Sequence, residues 1–209
     1  PVLFAIVRAG VVGADGPTHI GAFDLSFLRC IPNLIVMTPS DENECYQMLY
    51  TGFRLNQACA VRYPRGAGIG VDIDKTMQIL PFGKGRILRK GIKIAFLAFG
   101  SMVHPALEAA HEIDATLCDM RFVKPLDVGL IQQICTEHDF IVTIEENVIM
   151  GGAGSACLEA MQLLNLSNPV LQLGIPDEFT EHGDPKLLLR AMGLDKNGIL
   201  QALKNKNWI

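Results

Sequence analysis

Apolar and polar positions along this chain switch repeatedly between a strand period and a helix period. Val2 to Val7 is an unbroken apolar run closed by Arg8, the pattern of a fully buried parallel strand. Pro17 to Leu28 then predicts a helix ending near Pro32, and Leu34-Ile35-Val36-Met37 predicts the next strand. Ser40 is placed to cap a second helix. Asp41 and Glu42 are favoured in its first turn by the helix dipole, and Cys45, Met48 and Leu49 form its inward stripe. Residues 60–63 read as a third strand, broken at Pro64 because proline cannot donate to a central ladder. The glycine-rich stretch 67–84 reads as a linker with room for a short hairpin.

A second alternating unit follows. Ile94 to Phe99 is a strand ended by Gly100, and Ser101 stands as cap to a helix carrying Val103, Ala106, Leu107 and Ala110 at i, i+3, i+4, i+7. Ala115 to Met120 is a strand, and Asp127 caps a helix bearing Leu130, Ile131 and Ile134. Phe140 to Ile144, a helix from Gly154 to Leu164, Val170 to Leu173 and two short helices complete the pattern. Alternation of this kind predicts an α/β fold with parallel sheets. It divides the chain into 1–66, a linker 67–84, and 85–209. Three strands make half of a doubly wound domain, so the rest of the first sheet is expected upstream. Pro1 is not an initiator methionine, and the chain is expected to be a piece of a longer protein.

Composition narrows the partners. With 49% hydrophobic residues, 19% charged residues and a mean hydropathy of +0.28, the 209 residues can bury a core. A net charge of −4 without a lysine/arginine block argues against nucleic acid or an anionic membrane as partner. No apolar run approaches the ~20 residues needed to span a bilayer. Six scattered cysteines lack C-x-x-C or histidine-paired metal spacing and read as small buried hydrophobes in a reducing cytoplasm.

The candidate chemistry gathers after the strand tips. Arg8 is followed by Gly13-Ala14-Asp15-Gly16-Pro17-Thr18-His19-Ile20-Gly21, and Arg65 follows the third strand. Ligands of open α/β sheets sit beyond the carboxyl ends of the strands, where these side chains stand. If Pro17 opens a helix, Asp15 and His19 share one face. A guanidinium fork matches phosphate or carboxylate. Two arginines, a carboxylate and an imidazole therefore suit a small phosphorylated, hydroxylated substrate. The plainer alternative is a helix cap at Asp15 and a surface histidine. Arg62 reads as a surface ion pair. Gly151 to Ser155 reads as a tight turn in preference to an anion site. Adjacent Glu145 and Glu146 should point to opposite faces of a strand. His104, His111 and His138 read as solvated, and His182 has no assigned role.

These residues carry a resemblance. R-A-G-V-V-G-A-D-G-P-T-H-I-G from Arg8, A-V-R-Y-P-R-G from Ala60, D-M-R-F-V-K-P-L-D from Asp119, E-E-N-V-I-M-G-G-A-G-S from Glu145 and G-I-P-D-E-F-T-E-H-G from Gly174 resemble the 1-deoxy-D-xylulose-5-phosphate synthases of the transketolase superfamily. The resemblance covers essentially the whole chain. It implies the second half of a pyrimidine-binding parallel-sheet domain followed by a transketolase-type C-terminal domain. It implies thiamine-diphosphate- and Mg²⁺-dependent condensation of pyruvate with D-glyceraldehyde 3-phosphate, releasing carbon dioxide, for isoprenoid precursors, thiamine and pyridoxal cofactors. A homodimer in a bacterial cytoplasm or plastid stroma is implied as well. Arg8 and Arg65 match the family's substrate-phosphate ligands. Asp15 and His19 match catalytic positions facing the cofactor-bound intermediate and the acceptor hydroxyl.

The family's Gly-Asp-Gly…Asn diphosphate and metal motif and its activating glutamate have no counterpart in these residues, so the chain alone is expected to be inactive. Val7 and Ile20 depart from the usual pattern, which carries Asp and His or Gln there. Two alternatives stay open. One is a β-type subunit of a 2-oxo-acid dehydrogenase or a split transketolase; the other is a non-catalytic dimerisation module.

Overall fold

The computed structural model describes residues 1–209 as two α/β units. The first contributes β1 (Leu3–Val7), α1 (Asp24–Leu28), β2 (Ile35–Met37), α2 (Glu42–Arg54) and β3 (Cys59–Tyr63). After the linker come β4 (Arg86–Arg89), β5 (Ile94–Ala98), α3 (Val103–Ile113), β6 (Thr116–Asp119), β7 (Phe122–Lys124) and α4 (Val128–Glu137). The chain closes with β8 (Phe140–Val148), α5 (Ala153–Leu163), β9 (Val170–Ile175), α6 (Pro185–Ala191) and α7 (Lys196–Asn205). No helix is long and apolar enough to cross a membrane.

The sheets are mainly parallel. The first runs β1-β3-β2-β7 and the second β4-β6-β5-β8-β9. β1, β3 and β2 are parallel neighbours, while β7 adds antiparallel to β2. The fourth strand of the first sheet therefore comes from downstream in the chain. Arg121, at φ 58, turns the chain sharply between β6 and β7. Phe122 then enters the core of the first sheet, and Val123 enters the core between the sheets. That second core mixes Val36 and Ala60 of one sheet with Leu97, Cys118 and Ile141 of the other, so the two units share apolar interior. A buried charge cluster reinforces the seam. The Arg121 guanidinium donates from Nε and Nη2 to the Glu44 carboxylate, both at 2.8 Å, and Arg86 bridges Glu44 and Asp119, each at 3.0 Å.

Several local expectations are corrected. β1 is an edge strand, parallel as predicted but with Phe4 and Val7 about half exposed, because an edge strand has a neighbour on one side only. Pro17 opens a single 3₁₀ turn, Gly16–Thr18, and α1 starts only at Asp24. Asp41, with extended backbone, caps α2 by accepting from the Glu44 amide; Ser40 instead donates to Asp119. Ser101 lies inside a 3₁₀ turn that leads into α3 and caps nothing. Asp127 does cap α4, accepting from the Leu130 amide. The linker forms no hairpin. Its amides are taken by α2 instead: those of Ile69, Gly70 and Val71 donate to the Glu42 carboxylate, and that of Gln78 donates to Gln47. His138 is buried, with its ring against the Thr116 hydroxyl and the Ile134 carbonyl. His104 is half-buried on the Ser40 carbonyl.

Candidate active site at the strand ends of both sheets

The site grows from the loop that leaves β1. Arg8, the first residue after the strand, has φ 72, a left-handed backbone that turns the chain away from the strand line. Gly10 and Gly21 then exchange two backbone hydrogen bonds, at 2.9 and 3.0 Å, and close residues 10–21 into a loop. Within it the 3₁₀ turn carries Asp15 at its start and His19 at its end.

Three of the four predicted residues meet. Arg8 Nη1 and Arg65 Nη1 both donate to Asp15 Oδ2, each at 2.5 Å. The Arg65 hydrogen bond holds the Asp15 carboxyl below its ordinary range against the opposing effect of desolvation, and the charges of Arg65, Arg8 and His19 add to the lowering. All three side chains keep solvent access, with side-chain exposures of 38% for Arg8, 24% for Asp15 and 49% for Arg65. His19 is not bonded to Asp15. Its Nδ1 faces the Thr18 hydroxyl at 2.9 Å on the exposed side of the loop. A shared helix face was the wrong geometry, because the helix it assumed is one turn of 3₁₀.

Arg62 is the larger surprise. It is buried, not a surface pair: its Nε donates to both Asp24 oxygens at 2.9 Å, and its Nη2 donates to the carbonyls of Gly21 and Glu146.

The second unit closes over the same loop. The Gly183 amide donates to the Gly13 carbonyl at 3.1 Å, and the His182 ring lies so close to Gly16 that a Cβ there would strike it. His182 thus has a place, against the turn between Asp15 and His19. Glu146, at the end of β8, accepts from the Val11 amide at 2.7 Å and from the Ser101 hydroxyl at 2.6 Å. A cleft of about 790 Å³ opens beside these groups, with Tyr63, Arg65, Ser101, His104 and Glu146 in its walls. Sequence reasoning weighed Glu145 and Glu146 only as an acid–base pair, which their opposite faces argued against, and read Ser101 as a helix cap, so neither Glu146 nor Ser101 was placed beside the site. The available signal was a pair of glutamates ending an otherwise apolar strand.

Glu145 and Glu146 do point to opposite faces. Glu145 accepts from the Gly154 and Ala153 amides at 2.7 Å, so its own carboxylate occupies the N-terminus of α5. The Gly151–Ser155 segment is therefore a turn whose Gly152, Ala153 and Gly154 amides are already taken. Burial pushes the Glu145 carboxyl up to about 7, opposed by the Gly154 and Ala153 hydrogen bonds. Burial raises Glu146 as well, opposed first by the Ser101 hydroxyl, and raises Asp119 to about 6.

A glutamate in the unfolded chain releases its proton near 4.5, whereas folded Glu145 does so near 7. Between those values the unfolded state binds fewer protons, so stability should fall as pH rises from about 4.5 to about 7 and level off beyond. Thermal unfolding across that range should show the fall in the native chain and a shallower one in E145Q, with Glu146 and Asp119 supplying the remainder. Equal slopes in the two proteins would remove the assignment to Glu145.

No three His, Cys, Asp or Glu side chains are grouped as a metal ion requires. With the α5 amides occupied as well, these residues do not fit a diphosphate–metal pair.

A profile described as "Transketolase, pyrimidine binding domain" matches residues 1–69, and one described as "Transketolase, C-terminal domain" matches residues 83–199. The chain is similar to the 1-deoxy-D-xylulose-5-phosphate synthase of Chromobacterium violaceum, 61% identical over 206 residues, covering 99% of this chain and 33% of that protein. The synthase of Nitrosomonas europaea is likewise 61% identical over 206 residues, covering 99% of this chain and 34% of that protein. The chain thus spans about a third of the length of the curated relatives it matches. Among solved structures it is similar to a split-gene transketolase in an inactive β4 tetramer. The TM-score is 0.86 at 27% identity, covering 98% of this chain and 66% of that one.

Proposed function

The chain belongs to the transketolase family, and we propose that it is the substrate-facing part of a 1-deoxy-D-xylulose-5-phosphate synthase. On this reading it serves the condensation of pyruvate with D-glyceraldehyde 3-phosphate to 1-deoxy-D-xylulose 5-phosphate and carbon dioxide. The observation that carries the reading is the convergence of Arg8 and Arg65, from two neighbouring strand ends, on one oxygen of Asp15. Each guanidinium spends Nη1 on Asp15 and keeps Nη2 and Nε for a ligand, so two forks are aimed at one place. Asp15 cancels part of the positive charge and fixes the angle between them. A phosphate monoester is the ligand that this geometry suits.

Family membership implies dependence on thiamine diphosphate, which when bound makes the decarboxylated pyruvate carbon nucleophilic. Its diphosphate and the Mg²⁺ would be held by residues outside this chain, and the 209 residues alone are read as inactive. Their own work is to bind the aldehyde's phosphate through Arg8 and Arg65, and to orient its carbonyl. His19, exposed on the loop, is suited to exchange a proton with the acceptor hydroxyl. Apolar side chains left open at Phe4, Val7, Phe27 and Phe53 support assembly with further chain, a homodimer included. A split transketolase is the runner-up. The synthases' 61% identity against 27% for the split-gene protein favours the synthase.

The test is an assay of the enzyme containing this chain, with pyruvate and glyceraldehyde 3-phosphate. H19A should lower kcat by about 100- to 10,000-fold, the usual worth of a positioned acid or base. Its unfolding temperature should match that of the native protein, since the ring makes one exposed contact. A large fall in melting temperature with intact specific activity would assign His19 to structure alone.

A further inference from the structure

We propose that Glu146 is a positioning residue for this site. From the end of β8 it holds the substrate loop of the other unit and so sets where Arg8 and Asp15 stand. The inference rests on the functional reading above for the reaction it serves, but not for the geometry.

Glu146 is 5% exposed and lies two residues before the end of a strand that is buried from Ile141 onward. Its Oε1 accepts from the Val11 amide at 2.7 Å, and Val11 lies between Arg8 and Asp15. Its Oε2 accepts from Ser101 at 2.6 Å, so both oxygens are satisfied and the carboxyl cannot swing away without losing a bond. Gly10 makes the approach possible: it has φ 73, and a Cβ there would run into the Glu146 carboxyl.

The same residue also reaches the far end of the loop. The Glu146 carbonyl accepts from Arg62 Nη2 at 2.8 Å, and that nitrogen donates to the Gly21 carbonyl at 2.6 Å. Both ends of the loop are thereby tied to one position of β8. A leucine would fill the same space without desolvating a carboxyl. The arrangement is therefore costly for stability alone and informative for geometry.

The experiment compares E146L and E146Q. Gln keeps an oxygen for the Val11 amide and an NH₂ for Ser101, whereas Leu keeps neither. Amide hydrogen exchange on the 209-residue chain reads the loop without any substrate. E146L should raise exchange by about tenfold or more over residues 11–20 while the strands of both sheets stay protected, and E146Q should restore protection. In the active enzyme, E146L should lower kcat/KM for glyceraldehyde 3-phosphate by about 100-fold through misplacement, with E146Q recovering most of it.

Loop exchange unchanged in E146L, or raised evenly over the whole chain, would overturn the proposal, as would failure of E146Q to restore loop protection. Local exchange rescued by Gln, in a protein that makes no 1-deoxy-D-xylulose 5-phosphate, would support the positioning role and defeat only the reading of the reaction.

Discussion

Replacing Arg65 with alanine should cost the active enzyme about 2–4 kcal/mol of transition-state binding, or roughly 30- to 1,000-fold in kcat/KM for glyceraldehyde 3-phosphate. The reason is geometric as well as electrostatic. Arg65 donates to Asp15 from Nη1 alone, leaving the rest of its fork to face a ligand. On the proposed reading, losing it removes a phosphate contact, and it also removes one of the two braces on Asp15. The Arg65 hydrogen bond is the largest influence depressing the Asp15 carboxyl, so in R65A that carboxyl should titrate closer to its ordinary range. R65K should recover only part of the loss, because an ammonium is a point charge and cannot serve Asp15 and a phosphate with one planar fork. Steady-state kinetics with varied aldehyde phosphate decide the matter. Unchanged KM and kcat in R65A would take Arg65 out of the site.

The second large effect concerns folding. R62A should destabilise the chain by about 3–5 kcal/mol, the usual cost of leaving one member of a buried charge pair behind. Asp24 would lose its partner in a site that is 6% exposed, and the carbonyls of Gly21 and Glu146 would lose a donor. Urea unfolding of the chain measures this directly. Removing both charges, as in R62M with D24L, should recover most of the loss, since the residual partner is then gone. A cost under about 1 kcal/mol for R62A would return Arg62 to the status of a surface pair.

Much of the architecture was legible because it is local. The alternation of strand and helix periods gave most elements of both units, β4 and β7 excepted, and Asp127 capped α4 as its position required. The opposite orientation of Glu145 and Glu146 followed from the strand repeat alone. What escaped depends on which segments meet. Phe122-Val123-Lys124 is too short to read as a strand that leaves its own sheet for another, and only the turn at Arg121 sends it there. Arg62 looked solvated because its partners, Asp24 and two backbone carbonyls, come from three separate segments. Ser40 and Ser101 looked like caps because their hydroxyls suit one, but buried carboxylates nearby use them instead. At the candidate site, the four residue types were readable from the motif. Their mutual arrangement was not, since it arises from a 3₁₀ turn and a second strand end.

Position 8 shows folding and chemistry asking for different side chains. A left-handed backbone there favours glycine, and any L-residue with a Cβ gives up about 1 kcal/mol or more to occupy it. A chain selected only to be robust would drift toward Gly at this point. Arg8 at φ 72 instead places its guanidinium on Asp15 from a backbone that no extended strand residue has. If Arg8 binds the phosphate as proposed, relaxing this backbone position to stabilise the protein would blunt it, and a search for sturdier variants should leave Arg8 alone.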